Sequence, residues 1–338
     1  MEFGIFDHTE RKQGQPIGAV YEERRRLARA ADEAGCFCYH VSEHHGTPLS
    51  MAPSPGILLA VLAAETTRMH IGPLGALLPL YQPLRLIEEI CMLDHLSGGR
   101  LELGIGRGVN KIELKFYNID MEKTRAMFDE ALQVILMGLT QKTLDFSGEF
   151  YDYDMVPMEF SPAQQPHPPI WYPTSNLQSV PWVAEQGFNT IFAGELDHIA
   201  EQVSTYKEHL NPSLRGRTRF GIHPFIVVAP TDEEAMEVGE MAYRTHNANL
   251  SYLRSWKGRT QEMTRSQNLK HPPDLRSAVD EGWAAAGSPT TVRDQLGTIL
   301  DKTGCNYVLY TPISGDTPTD FGLRALDLFA EHVVPALP

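Results

Sequence analysis

Residues 93–110 read LDHLSGGRLELGIGRGVN, and the fold follows from how this stretch is parsed. An apolar-periodic helix runs into it from about residue 84. Gly98 and Gly99 end that helix, because glycine enters the left-handed conformation of a C-cap at little steric cost. Residues 100–105 then read as a short buried strand, with Leu101, Leu103 and Ile105 alternating against Arg100, Glu102 and Gly104. The strand runs out through Gly104, Gly106 and Gly108, with Arg107 between the last two. Glycines there let backbone approach a ligand closely, and an arginine suits a phosphate. The same residues also fit a tight strand-to-helix turn carrying a surface arginine. A dinucleotide-binding turn is excluded. The spacing is Gly-x-Gly-x-Gly, not Gly-x-Gly-x-x-Gly, and the turn follows a fourth strand rather than a first.

Strands and helices alternate on both sides of this unit. The earlier strands are predicted at 2–8, 37–42 and 70–78, the last interrupted by Gly72-Pro73-Leu74-Gly75. Their helices are predicted at 20–34 and 55–67, and a fourth helix at 122–139. The second half adds strands at 169–173, 190–193, 220–228 and 306–310. Its helices are predicted at 177–186, 197–209, from 232 onward, 291–302 and 319–334. Parallel strands need crossover helices, so eight such units predict an α/β fold, a (β/α)8 TIM barrel, as one domain over residues 1–338. Two stretches interrupt the pattern. Residues 143–168, rich in proline, aromatics and turn formers, read as an insertion after helix 4. Residues 257–282 have weak periodicity, many charges and Pro272-Pro273, and read as an insertion after helix 7 that forms a mobile lid.

A chain of 338 residues can bury a large core without staples. Its formal charge of −14 argues against nucleic acid and anionic membrane as partners. Cys36, Cys38, Cys91 and Cys305 have neither disulfide-framework nor zinc spacing, which predicts reduced thiols. Met1 leads straight into a strand with no signal peptide, and the longest apolar run, near 56–64, is too short to span a bilayer. A cytoplasmic protein is expected.

In a parallel barrel, ligands lie at the C-terminal ends of the strands. The polar residues at those ends are His8, Glu43-His44-His45, Arg107, Ser175-Asn176 and Ser314. Neighbouring side chains of an extended segment point to opposite sides, so His44 and His45 cannot readily share a metal, and none is expected. A histidine there suits acid–base work, or it is simply satisfied by the barrel wall. Residues 174–179, TSNLQS, open a helix, where free N–H groups make an anion site; Ser and Asn there also serve as plain N-caps.

The pattern Leu-Asp-x-x-Ser-x-Gly-Arg, then Gly-Ile-x-Arg-Gly, resembles the bacterial luciferase family of flavin-dependent monooxygenases. The resemblance extends over nearly the whole chain, including Trp182-Val183-Ala184 and the run from Gly287 to Val292. It implies an FMN-dependent two-component monooxygenase. Reduced FMN would come from a separate NAD(P)H-dependent flavin reductase, and O2 would be used to oxygenate a small organic substrate. It implies that Arg107, Val109 and Asn110, with Thr174, Ser175, Asn176 and Ser179, bind the cofactor. It implies a cis peptide at Leu74-Gly75 beneath the flavin ring. It makes His44 and His45 the candidate catalytic residues, His44 being the one beside the flavin. Family members also pair through helices 2 and 3, so a homodimer is expected, with the small residues Gly56, Ala60, Ala63 and Ala64 at the contact. The sequence departs from luciferase α-chains at Gly106, a cysteine there, and at Ser175, an acidic residue there. Cofactor class therefore carries over better than substrate, and light emission is not expected. Two alternatives use the same barrel: a deazaflavin-dependent dehydrogenase and a flavin-binding protein without turnover.

Overall fold

The computed structural model describes residues 1–108, 110–255 and 272–338. In chain order the elements are β1 (Glu2–Asp7), α1 (Ile17–Glu33), β2 (Cys38–Val41), α2 (Pro55–Glu65), β3 (His70–Pro73), β4 (Ala76–Leu77), α3 (Pro83–Leu96) and β5 (Leu103–Gly106). Next come α4 (Lys111–Phe116), α5 (Thr124–Thr140), β6 (Thr143–Ser147), β7 (Asp152–Pro157), β8 (Ile170–Trp171), α6 (Val180–Glu185), β9 (Thr190–Phe192) and α7 (Leu196–His209). The chain continues with β10 (Phe220–Ile222), β11 (Phe225–Val228), α8 (Asp232–Ser255), α9 (Leu275–Asp280), β12 (Ala284–Gly287), α10 (Pro289–Thr303), β13 (Tyr307–Tyr310) and α11 (Thr319–Leu328).

This is an α/β fold built on a curled parallel sheet. Six strands pair in the order β3-β2-β1-β13-β10-β9, every pair parallel. A second parallel sheet, β4-β5-β8, is tied to the first by single bridges, Ile71 to Leu101 on one side and Trp171 to Asn189 and Thr174 to Phe192 on the other. Alternate strand residues face opposite sides of a sheet. Val308 and Tyr310 accordingly join the large apolar core with the helices, whereas Tyr307 and Leu309 pack with Leu74, Trp171 and Ile191 in a smaller separate cluster. Where β5 crosses the end of β3 the backbones leave no room for a side chain. A Cβ on Gly104 would lie 2.0 Å from the Pro73 carbonyl oxygen.

Several expected elements are subdivided. The third strand breaks into β3 and β4 at the Leu74–Gly75 peptide, which is cis, as the family resemblance implies. The seventh breaks into β10 and β11 around His223-Pro224. The stretch 143–168 contains an antiparallel hairpin, β6-β7. The strand β12, paired in parallel with β11, was not anticipated, because Ala284-Ala285-Ala286-Gly287 carries no β-branched or aromatic signal. Of the expected lid, residues 257–271 lie outside the described residues, and 272–282 include α9, whose N-cap Asp274 accepts from the Ser277 amide. Among the described residues, no helix is long and apolar enough to cross a membrane.

Candidate active site

Asp7 closes β1 and sets the direction of His8. One of its carboxylate oxygens accepts from the Thr9 amide at 2.6 Å and the Arg24 Nε at 3.0 Å; the other accepts from the Tyr39 hydroxyl at 2.7 Å. This ties the strand end to α1 and β2. Beyond β2, Glu43 does similar work. It accepts from the Leu77 amide at 3.0 Å and the Tyr81 hydroxyl at 2.9 Å, and so fixes the chain just after the cis peptide. Glu43 also accepts from His45 Nε2 at 3.0 Å, while the Tyr117 hydroxyl lies 2.8 Å from His45 Nδ1. A carboxylate only accepts, so Nε2 carries the proton and Nδ1 takes the tyrosine O–H. Both His45 nitrogens are therefore engaged within the protein.

His44 points the other way. Its Nδ1 lies 3.1 and 3.4 Å from the two oxygens of Glu113, a buried side chain on α4. Helix α4 starts where it does because the Asn110 side chain caps it, accepting from the Ile112 amide at 3.0 Å. Just before it, Arg107 sits in the turn after β5, where Gly108 has a positive φ of 77°. Across the opening, the turn after β8 is shaped by its own polar groups. The Asn176 amide donates to Thr174 Oγ1 at 3.1 Å, and the Asn176 side chain caps Gln178 at 3.1 Å.

These elements surround one cavity of about 830 Å³ at the C-terminal ends of the parallel strands. His44, Leu74, Gly75, Arg107, Asn110, Thr174, Ser175, Asn176 and Ser179 all line it. His45 does not, and Val109 lies outside the described residues. Two ends of the cavity differ in chemistry. At one, Arg107 and Arg125 stand beside Tyr172: burial pushes the Tyr172 hydroxyl up, and the two guanidiniums pull against that shift. Arg125 also pairs with Asp129 at 2.8 Å, while Arg107 has no ion-pair partner among the described residues. At the other end four histidines gather. The His8 ring lies 5.6 Å from His44, 5.5 Å from His246 and 6.4 Å from His223. His246 Nδ1 is 2.9 Å from Glu10, which also accepts from Ser314 and the Gly315 amide. Burial would raise the Glu10 carboxyl, but the adjacent His246, by charge and hydrogen bond, holds it down at about 2. Among the described residues no cluster could hold a metal ion.

Reasoning from sequence missed Arg125, Glu113, His223, His246 and Glu10. The first two sit on helices rather than strand ends. His223 was hidden because residues 220–228 were read as one strand, which placed the end at Val228. His246 lies within α8, about four turns from its start and away from any strand end, where no local signal marks it.

The residues also fit a flavin. The double-guanidinium end, with the Thr174, Ser175 and Ser179 hydroxyls, matches a phosphate, and Leu74, Ile105, Ile191 and Leu309 offer apolar wall for a planar ring. Gly75 lines the cavity beside Leu74 and packs tightly on β5, where a Cβ would meet the Ile105 backbone at 2.7 Å.

Comparison with known proteins agrees with this arrangement. The profile of the family described as luciferase-like monooxygenase matches residues 1–306, and the chain belongs to that family. An uncharacterized protein of Sinorhizobium fredii, y4wF, is 33% identical over 330 residues, covering 96% of this chain and 93% of its own. The oxygenase component of a flavin-dependent trigonelline monooxygenase from Acinetobacter baylyi is 27% identical over 264 residues, covering 76% and 72%. Among solved structures, monooxygenase RslO1 from Streptomyces bottropensis superimposes with a TM-score of 0.87 at 27% identity, covering 99% of both chains. The oxygenating constituent of 3,6-diketocamphane monooxygenase from Pseudomonas putida, in complex with FMN, gives 0.84 at 22%, covering 100% and 99%. A coenzyme F420-dependent tetrahydromethanopterin reductase from Methanopyrus kandleri gives 0.71 at 15%, covering 100% of both chains. The last two likenesses bear on the fold alone. The chain is an enzyme of a monooxygenase family, and its cofactor is of the flavin type.

Proposed function

We propose that this protein is the oxygenase part of a two-component FMN-dependent monooxygenase. Reduced FMN, delivered by a separate NAD(P)H-dependent flavin reductase, is the co-substrate with O2, and a small organic molecule is oxygenated. One observation carries the reading: a single cavity joins a cationic, hydroxyl-rich end to the Glu113–His44 pair. Two similar proteins support it, the trigonelline relative being an oxygenase component and the diketocamphane enzyme being complexed with FMN. When bound, the reduced flavin supplies the electrons that activate O2. The chain's own residues do the rest. Arg107 and Arg125, with Thr174, Ser175 and Ser179, hold the phosphate; Asn110 and Asn176 keep the two turns in shape through their caps. Val109, which stands between Gly108 and Asn110 in the sequence, is proposed to bind the cofactor as well. Leu74 and Gly75 support the ring, and Glu113 holds His44 where it can give or take a proton. His45 braces the loop that carries His44.

The test supplies reduced FMN through a generic flavin reductase, follows O2 uptake, and screens organic substrates by mass spectrometry for a gain of one oxygen. Turnover without O2 would replace this reading with the deazaflavin-dependent dehydrogenase. Flavin binding without any turnover would leave a flavin-binding protein. Arg107→Ala is expected to weaken FMN binding by about 1.5–3 kcal/mol, the worth of a charge-assisted phosphate contact. Unchanged affinity by calorimetry would move the phosphate elsewhere.

In the same reading the curled sheet and the β4-β5-β8 sheet close into one (β/α)8 barrel over residues 1–338. The four cysteines are buried and unpaired, which supports a reducing compartment such as the cytoplasm. The protein is also proposed to be a homodimer. Ile57 (72% exposed) and Val61 on α2 and Met92 and Leu96 (61% exposed) on α3 form an uncovered apolar face on two packed helices. Ala63 of the expected small-residue stripe is buried inward, so the larger side chains make the outer face. Light scattering should give twice the chain mass for the wild type and a single chain for Ile57→Glu/Leu96→Glu. A monomeric wild type at micromolar concentration would rule the dimer out.

A further inference from the structure

The histidine-rich end of the cavity holds a second Glu–His pair, separate from Glu113–His44. Its donor and acceptor states can be worked out. Glu10 is buried, and its two oxygens take His246 Nδ1 at 2.9 Å, Asn249 Nδ2 at 3.4 Å, the Ser314 hydroxyl at 2.9 Å and the Gly315 amide. Such a carboxylate fixes the proton on Nδ1, which leaves Nε2 of His246 as the reactive nitrogen. No protein group among the described residues partners that Nε2, and His246 lines the cavity. His223 is fixed too. The Thr311 hydroxyl donates to the Phe6 carbonyl at 2.6 Å, so its oxygen can only accept from His223 Nε2, 2.8 Å away. Burial first, and then the charge that His246 carries once protonated, keep His223 neutral, with its pKa at about 3. His8, between them, is kept neutral by burial first and by His246 and His44 next. The groups facing His246 are therefore one anion, Glu10, the neutral imidazoles of His8 and His223, and the ring of Phe225.

We propose that His246, oriented by Glu10, takes the proton of an acidic hydroxyl on a flat substrate, a phenol or an enol, and holds the resulting oxyanion. The O–H bond breaks, its electron pair stays on oxygen, and the proton goes to Nε2. Glu10 stabilises the imidazolium so formed. Other functional groups fit less well. A carboxylate would need a standing cation, and the arginines lining the cavity, Arg107 and Arg125, sit at the Tyr172 end. An ammonium would need a free carboxylate, whereas the oxygens of Glu10 are already taken. An aliphatic alcohol is too weak an acid for an imidazole to ionise. The flat shape follows from the rings that line this end: Phe6 packs edge-on against His8 at 4.7 Å and against His223 at 4.8 Å, and Phe225 lies 5.7 Å from His246. An oxyanion is also the electron-rich form of such a substrate, the form that an electrophilic oxygen attacks.

This inference rests on the proposed monooxygenase reading for its purpose, but its test needs no flavin. The probe is 4-nitrophenol, whose neutral and ionised forms absorb at different wavelengths. It is titrated with full-length protein, free of flavin, between pH 5 and 8. Bound to the wild type, its apparent pKa should fall by about one unit or more, a tenfold change in the ionisation equilibrium. His246→Phe should abolish the shift, and Arg107→Ala should keep it. Glu10→Gln should lose most of it; because Glu10 is a buried hub, His246→Gln is measured as well and should match His246→Phe. The proposal is overturned if the wild type binds the probe with no shift, fails to bind it at millimolar concentration, or if His246→Phe retains the shift. A failed FMN assay with an intact phenol shift would remove the cofactor reading and leave this one standing.

Discussion

Replacing His44 by alanine is expected to slow oxygenation by about 10²–10⁴, the usual worth of a positioned acid–base group, while FMN affinity changes little. The reason lies in the placement of the side chain. His44 lines the cavity and has one nitrogen on Glu113, so the other is open to the reaction. The phosphate-binding groups proposed above lie on other turns and keep their geometry. Oxygen uptake should persist in the variant but run to hydrogen peroxide instead of product, because nothing supports the oxygen transfer. Glu113→Gln should reproduce a smaller version of the same defect, since it keeps the hydrogen bond and loses the charge. His45→Ala should behave differently. That residue is clamped between Glu43 and Tyr117 and is absent from the cavity wall, so its loss should lower the unfolding midpoint more than it lowers kcat. Stopped-flow and product yield decide the matter. If His44→Ala matches the wild type in both, the assignment of His44 as the catalytic group is wrong.

The second large effect expected is loss of stability in mild acid. His40 and His223 are buried, and burial, reinforced by His70 and Arg219 for His40 and by His246 for His223, depresses both to about 3. His8 is lowered as well, by burial and then by His246 and His44. In the unfolded chain a histidine titrates near 6.5. The unfolded state therefore binds protons first, and stability drops as pH falls below about 6.5, continuing toward 3. At pH 5 each of His40 and His223 costs about 2 kcal/mol, with His8 acting in the same direction. That is a large share of the roughly 5–15 kcal/mol that holds a domain together. Glu10 adds to the effect further down. Its contribution is complete above its unfolded value of 4.5 and is lost as pH falls toward about 2. Urea unfolding followed by circular dichroism at pH 7.5, 6.5, 5.5 and 5.0 should show this decline. His40→Gln should reduce the slope by about one proton, because glutamine does not titrate. A stability that stays flat from pH 7.5 to 5.0 would contradict the burial of these neutral imidazoles.

Much of this molecule is legible in local sequence. The α/β alternation comes from apolar periodicity, from glycines that end helices at Gly35 and Gly98-Gly99, and from Ser288-Pro289 opening α10. These are short-range effects, in which each residue type biases its own backbone, so composition and spacing report them. The candidate cofactor turns were visible for the same reason: Arg107-Gly108 follows β5 and Thr174-Ser175-Asn176 comes shortly after β8, and in a parallel sheet such positions face the ligand. Residues 100–105 show both sides. The alternation of Leu101, Leu103 and Ile105 marks a buried strand, but nothing local says that Gly104 must lack a side chain because Pro73 crosses 2.0 Å from where it would start.

What the tertiary structure alone decided is which polar groups meet. Glu113 is three residues into a short helix and reads as surface charge until the packing of α4 buries it on His44. Glu10 and His246 are 236 positions apart, and no periodicity links them. That His44 and His45 point to opposite sides follows from the sequence, but that His45 is locked between Glu43 and Tyr117 does not. The physical reason is range. Backbone preference acts over a few residues and is written in local order, whereas burial, charge pairing and tautomer depend on distances through space that exist only once the sheet has curled.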